Sequence, residues 1–313
     1  MITIRVGDVR EQLRQLDAKS AQAVCTSPPY FQLRDYGVAG QIGMEATPAE
    51  FVATLVDVFR EVRRVMRDDG VLFVNLGRSY GGSVKGNAPG PNSTVGHRWR
   101  GSSEQLQRTP GQAKSLLLIP ERFAIAMSDD GWIVRDQIVW AKKAPMPESV
   151  RDRCTSSWEP IFMFTKQARY FWDAAAVAQT ALQPLGQSRL TGSQAKTTAG
   201  GFTTNGTGNS TLGTNQGAST ANMRNVWHLG PEPSREAHWA SFPTEIPRRC
   251  ILAASRKGDT ILDPFVGSGT TLLVADRLER NGIGIDLNPE YAEIARRRCA
   301  NDAPMFADVT VAG

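Results

Sequence analysis

The amino-acid sequence predicts an α/β fold, a doubly wound and mainly parallel sheet covered by helices on both faces. Short β-branched runs alternate with stretches of helical spacing at both ends of the chain, the pattern that lays crossover helices over parallel strands. Several strand-like runs stop abruptly at proline or glycine turns, which exposes their carboxyl ends. The middle of the chain holds a tract too poor in aliphatic residues to pack, so it reads as an insertion off that sheet.

Met1 to Tyr30 reads strand, helix, strand. ITIRV is short and β-branched, VREQLRQL has helical spacing, and AQAVCT is apolar and ends at Ser27-Pro28-Pro29. From Pro48 to Arg67, the residues Phe51, Leu55, Val58, Phe59, Val62 and Val65 recur at i, i+3, i+4, with Thr47 as N-cap and Pro48 as first helical residue. Asp69-Gly70 should end this helix, and VLFVNLG follows as a buried strand. The same grammar returns as a helix from Leu116 to Met127, a turn at Asp130-Gly131 and the strand WIVRDQIVWA. Two stretches break it: Gly81 to Gly111 reads as a mobile basic loop, and the Gly/Thr/Ser/Asn/Gln tract from Gln183 to Asn222 cannot build a core of its own. From Pro243 the pattern resumes with a helix from Glu245 to Ala254, the strand TILDPF, the turn GSGTT, the helix LLVADRLER, the strand GIGIDL and a helix from Pro289 to Cys299.

With 313 residues the chain can bury one large core plus an accessory region. Its 36 Lys and Arg against 31 Asp and Glu leave a net charge of +5, which suits a polyanionic partner. Cys25, Cys154, Cys250 and Cys299 are widely separated with no C-x-x-C pair, and only His97, His228 and His238 accompany them, so neither a structural zinc, nor any other metal, nor a disulfide framework is expected. The start, MITIRVGDVREQL, does not read as a signal peptide, and no run of about 18 apolar residues occurs. A cytoplasmic protein without membrane association is expected.

Two segments carry chemistry. In Asp263-Pro264-Phe265-Val266-Gly267-Ser268-Gly269-Thr270-Thr271 small residues stand where a strand turns into a helix, letting a ligand approach the backbone, and Asp286 closes the next strand, where a carboxylate can bind ribose hydroxyls. The glycines depart from G-x-G-x-x-G, which weakens a dinucleotide reading. Thr26-Ser27-Pro28-Pro29-Tyr30 also sits at a strand's carboxyl end. Its prolines lack N–H donors, so the local backbone offers carbonyl oxygens that, with the Ser27 hydroxyl, accept hydrogens from a substrate amine. Tyr30 offers a face for a planar base; a rigid turn with a packed aromatic is the plainer alternative.

TSPPY and DPFVGSGTT resemble catalytic motif IV and cofactor motif I of the DNA amino-methyltransferases, which methylate exocyclic nitrogens with S-adenosylmethionine. Motif IV comes first, as in the circularly permuted β class. Gly7-Asp8 is similar to a motif III position, VLFVNLGRSY to the strand after the motif V helix, IVWAKKAPMPESVRDRCTSSWEPIFMFTK to motif VIII and HWASFPTEIPRRCI to motif X. About Ala168 to Arg235 is unmatched, where the family keeps its target-recognition region. The resemblance therefore implies a seven-stranded Rossmann-like methyltransferase sheet in three parts: a catalytic half (1–167), a target-recognition region (168–235) holding the 183–222 tract, and a cofactor-binding half (236–313).

The resemblance also implies roles. Ser27, Pro28, Pro29 and Tyr30 would be catalytic: the Ser27 side chain and Pro28 carbonyl accept the amine hydrogens as nitrogen becomes tetrahedral, while Tyr30 stacks on an extruded base. Methyl transfer would be direct, without a covalent intermediate. Cys25 precedes Thr26 instead of following a proline, so it does not match a C5-cytosine nucleophile. Asp263, Phe265, Gly267, Gly269, Thr270 and Thr271 would contact the methionine portion of the cofactor, with Thr26 and Ser268 beside them. Asp286 would take the ribose, Asp8 the adenine end, and Phe242 with Pro243 the opposite wall. Serine at the first position of SPPY resembles the N4-cytosine enzymes, whereas N6-adenine enzymes more often carry Asp or Asn. N4-cytosine methylation in duplex DNA is thus implied, with N6-adenine methylation the alternative and an inactive nucleic-acid-binding protein of the same fold a second. Lys142, Lys143, Arg151 and Arg153, flanking Pro145 and Pro147, are candidates for phosphate contacts, and Arg78, Lys85, Arg98, Arg100 and Arg108 for a loop closing over DNA. Double-stranded DNA is the implied partner, with a restriction endonuclease as a system partner, a monomer or homodimer as the assembly, and the nucleoid as the place of action.

Overall fold

A computed structural model of the chain describes residues 1–33, 37–38, 40–82, 109–180, 220–230, 232, 242–302 and 309–312. Most of the 81–111 loop and of the 183–222 tract lie outside the described residues, as do Lys85, Arg98, Arg100 and Arg108.

In chain order the elements are β1 (Ile2–Val6), α1 (Val9–Arg14), β2 (Ala21–Thr26), α2 (Pro48–Val65), β3 (Met66–Asn75), α3 (Ile119–Asp129), β4 (Ile133–Lys142), β5 (Trp158–Thr165), β6 (Gln179–Thr180), β7 (Thr220–Ala221), β8 (Val226–Leu229), α4 (Glu245–Ala254), β9 (Thr260–Asp263), α5 (Thr270–Arg277), β10 (Asn281–Asp286), α6 (Pro289–Asp302) and β11 (Val309–Ala312). The chain divides into two units. One is Met1–Asp173 with Arg224–Gly313; the other, Ala174–Met223, contains the short antiparallel pair β6 and β7. Strand β8, within the expected 168–235 region, belongs to the first unit, where it pairs with β4.

The main sheet has the order β11-β1-β10-β9-β2-β3-β5-β4-β8. Every neighbouring pair is parallel except those of β5, which runs antiparallel to β3 and β4. Nine strands are seen among the described residues against the seven implied, the additional β8 and β11 lying on the outer edges. The helices form two layers, α1 on α2 and α2 on α3, then α4 on α5 and α5 on α6, as a doubly wound sheet requires.

Helix α2 shows why these residues fold so. Thr47 accepts from the Glu50 backbone and Glu50 accepts from the Thr47 backbone, a reciprocal cap, and Pro48 occupies the first turn. Its apolar stripe buries Phe51, Leu55, Phe59 and Val62, with the Phe59 and Phe123 rings 5.3 Å apart and Phe123 edge-on to Phe164 of β5. The helix ends at Val65, before Asp69-Gly70, and the chain enters β3 directly. Asp69-Gly70 lies instead where the β2–β3 register shifts between Ala21 and Ala23. A Cβ at Gly70 would stand 2.7 Å from the Gln22 carbonyl, so this irregular crossing needs glycine. Likewise α3 starts at Ile119, three residues later than its periodicity suggests, because Leu116 bridges to Tyr80 and Leu118 adopts a left-handed φ of 53°.

Candidate active site

Strand order brings the two motif segments together. β9 lies between β10 and β2, so the residues following their carboxyl ends share one rim of the sheet, where ligands of open α/β sheets bind. A cavity of about 220 Å³ opens there. Ser27, Pro28, Pro29 and Tyr30 line it together with Asp263, Phe265, Gly267, Ser268, Thr270, Thr271 and Asp286, with Asp8 and Phe242 contributing.

Two of the cavity's carboxylates, Asp263 and Asp286, end adjacent strands. Asp263 is buried and its Oδ1 accepts from the Thr26 hydroxyl at 2.6 Å and the Phe265 amide at 3.1 Å. Asp286 accepts from the Gly267 amide at 3.0 Å and the Asn288 amide at 2.8 Å. Burial pushes both carboxyls up to about 6 against the hydrogen bonds that favour their charged forms. No lysine or arginine pairs with either among the described residues. Two desolvated carboxylates beside the apolar Phe242, Phe265 and Ile285 suit a ligand with one cationic group, hydroxyls and a planar apolar portion.

The glycine turn also serves packing. Gly269 caps α5 at φ +81°, and a Cβ there would stand 2.9 Å from the Ala295 Cβ of α6. Arg298 of α6 donates to the Ser268 carbonyl at 2.6 Å, the Ser268 hydroxyl at 2.7 Å and the Thr270 hydroxyl at 3.2 Å, clamping the turn. Nothing in its helical surroundings marks Arg298 as part of the site.

Three expected cofactor contacts are not among the residues that line the cavity. They are Pro243, Gly269 and Thr26, the last of which is buried and donates to Asp263. Asp8 does line the cavity, but as the N-cap of α1 its oxygens accept from the Arg10 and Glu11 amides and the Arg10 guanidinium, whose hydrogen bond holds the carboxyl below its usual range. Cys25 is buried in β2, its thiol raised well above the ordinary range by the neighbouring Cys250 thiol and by desolvation, which suits packing and not nucleophilic attack.

Behind Tyr30 lies a polar network that the sequence did not single out. The Tyr30 hydroxyl is 2.7 Å from Glu159 Oε2 and 3.1 Å from Asn75 Oδ1, and Glu159 Oε1 is ion-paired with Lys142 Nζ. Lys142 also lies over the Trp140 ring at 4.9 Å. Lys142, expected as a phosphate contact, is thus ion-paired within the protein. Arg153 is engaged too, with Glu148 at 2.6 Å and the Tyr80 ring at 4.2 Å, and Arg78 stacks 3.5 Å over Trp158. Lys143 and Arg151 are exposed. Among the described residues no group of three or more His, Cys, Asp or Glu could hold a metal ion, and no helix is long and apolar enough to cross a membrane.

Comparison with known proteins agrees with this geometry. The N6/N4 methyltransferase family, described as DNA methylase, matches residues 21–297. The chain is 39% identical over 298 residues to the Type II methyltransferase M.Cfr9I of Citrobacter freundii, covering 95% of this chain and 87% of that protein. It is 38% identical over 296 residues to the Type II methyltransferase M.SmaI of Serratia marcescens, covering 94% and 89%. Among solved structures, the PvuII DNA methyltransferase (cytosine-N4-specific) shares the fold with a TM-score of 0.63 at 18% identity, over 99% of this chain and 94% of that one. The chain therefore belongs to the N6/N4 family of S-adenosylmethionine-dependent DNA methylases.

Proposed function

We propose that this protein is a Type II DNA methyltransferase acting on the exocyclic N4 of cytosine in duplex DNA, with Ser27, Pro28, Pro29 and Tyr30 as the catalytic segment. The observation that carries the reading is that this segment lines one cavity together with the Asp263 and Asp286 carboxylates. The serine that opens SPPY favours cytosine over adenine by resemblance to the N4 enzymes.

When bound, S-adenosylmethionine supplies an electrophilic methyl group. Asp263 would neutralise its ammonium, Asp286 would accept from its ribose hydroxyls, and Phe242 with Phe265 would cover its apolar portion. The Ser27 hydroxyl and the Pro28 carbonyl accept hydrogens from the substrate amine. These bonds strengthen as the nitrogen becomes tetrahedral, so they favour the transition state over the planar amine. Tyr30 receives the extruded base by stacking, and alignment of amine and donor within the cavity supplies much of the acceleration. Lys143 and Arg151 would contact phosphates, and affinity should fall with salt. Motif order is the basis for reading the chain as permuted: β1 and β2 come first in sequence, yet β9 and β10 lie between them in the sheet.

The test is incubation of duplex DNA with the protein and S-adenosylmethionine, then digestion to nucleosides. N4-methylcytosine is expected; N6-methyladenine alone would overturn the base assignment.

A further inference from the structure

We propose that Glu159 is a positioning residue for the target base: the Lys142–Glu159 ion pair anchors the Tyr30 hydroxyl and so sets the plane of the ring on which the base stacks. The inference rests on the reading of Tyr30 as that stacking platform.

Glu159 does not line the cavity, and Tyr30 does. The carboxylate can reach the site only through the hydroxyl that lies 2.7 Å from its Oε2. Its other oxygen is taken by Lys142, so it is held from both sides, on β5 between β3 and β4. Asn75 Oδ1 lies 3.1 Å from the same hydroxyl, and Asn75 is itself oriented by donating from Nδ2 to the Pro160 carbonyl at 3.1 Å. The ring edge has no room either: a Cβ on Gly77 would lie 2.0 Å from Tyr30 Cε2. Ring tip and ring edge are therefore both fixed by groups outside the cavity. A tyrosine held in this way presents one orientation to an incoming base, whereas an unanchored ring would sample several.

A double-mutant cycle tests this. Transfer of a radiolabelled methyl from S-adenosylmethionine into DNA is followed under single-turnover conditions for wild type, Tyr30→Phe, Glu159→Gln and the double variant, with cofactor affinity measured by calorimetry. Each single change should slow transfer about tenfold, the effect of one lost hydrogen bond, with cofactor affinity unchanged. The double variant should be no slower than the slower single, because Glu159 acts through the hydroxyl alone. Lys142→Met provides a second cycle should Glu159→Gln fail to fold; it should slow transfer with Tyr30 present and have no effect beside Tyr30→Phe. Losses that multiply in the double variants, or a wild-type rate for both Glu159→Gln and Lys142→Met, would overturn the proposal. Label is counted on any base, so the outcome does not depend on the cytosine assignment; no label with wild type would overturn the methyltransferase reading and this inference with it.

Discussion

Gly77→Ala places a single methyl where the backbone beyond β3 passes the Tyr30 ring. Its Cβ would stand 2.0 Å from Cε2, 2.1 Å from Cδ2 and 2.8 Å from Cζ. Carbon atoms rest about 3.5 to 4.0 Å apart, so the ring must retreat by roughly 1.5 Å. That retreat takes the hydroxyl out of its 2.7 Å contact with Glu159, a hydrogen bond to a charged group worth about 1.5 to 3 kcal/mol. A misplacement of about 1 Å at a reacting centre costs on the order of 100-fold in rate. We therefore expect Gly77→Ala to slow single-turnover methyl transfer by on the order of 100-fold. Cofactor affinity by calorimetry should be unchanged, since Asp263 and Asp286 stand on β9 and β10. Thermal or urea unfolding should show a loss of about 1 to 3 kcal/mol, typical of overpacking. In a Tyr30→Ala background the methyl meets no ring, and the same substitution should change stability by less than about 0.5 kcal/mol. A wild-type transfer rate in Gly77→Ala, or equal destabilisation in both backgrounds, would refute the reasoning.

Three further outcomes are expected. Tyr30→Ala should keep cofactor binding and lose most methyl transfer, and full activity would exclude the stacking role. Thr47→Ala removes one half of the reciprocal cap of α2 and should lower unfolding free energy by about 1 kcal/mol without altering transfer, as urea titration can show. Burial raises Asp263 and Asp286 from an ordinary 3.8 to about 6, so the native state binds more protons than the unfolded chain and its stability falls as pH rises from about 4 to 6. A cationic ligand favours the charged carboxylate, so cofactor affinity should rise over the same window. Asp263→Asn should flatten the affinity profile and leave only the Asp286 share of the stability profile, and a pH-independent affinity in the wild type would rule out Asp263 as the counter-charge.

The sequence was most legible where one element carries its own signals. Helix α4 runs from Glu245 to Ala254 and β2 from Ala21 to Thr26, as their spacing predicts. Both motif loops also declared themselves through proline and glycine, whose backbone restrictions are local. The short edge strands β8 and β11 were not legible, since four residues such as VWHL or VTVA show too little alternation to distinguish a strand from a loop. Asp69-Gly70 misled for a related reason: it has the composition of a turn, but its glycine answers to the Gln22 carbonyl on a neighbouring strand.

Glu159 escaped sequence reading because of the reversal of β5. Parallel strands deliver functional residues from the loops after their carboxyl ends, which is where a reader of α/β sequences looks. An antiparallel strand reaches the same rim with its first residues, so Glu159 arrives beside Tyr30 although it begins a strand. Glu159 is 129 residues from Tyr30 in the chain, and no spacing rule joins them. The same reversal changes the meaning of Lys142. As one of 36 basic residues in a chain of net charge +5, it looks like a phosphate ligand; once β5 sets Glu159 beside it, it is the counter-ion of the carboxylate that meets the Tyr30 hydroxyl. If that is its role, Lys142→Met should impair transfer without lessening the salt dependence of DNA binding. Arg151→Ala should instead reduce the salt slope by roughly one, and equal slopes for all three proteins would remove Arg151 from the phosphate contacts.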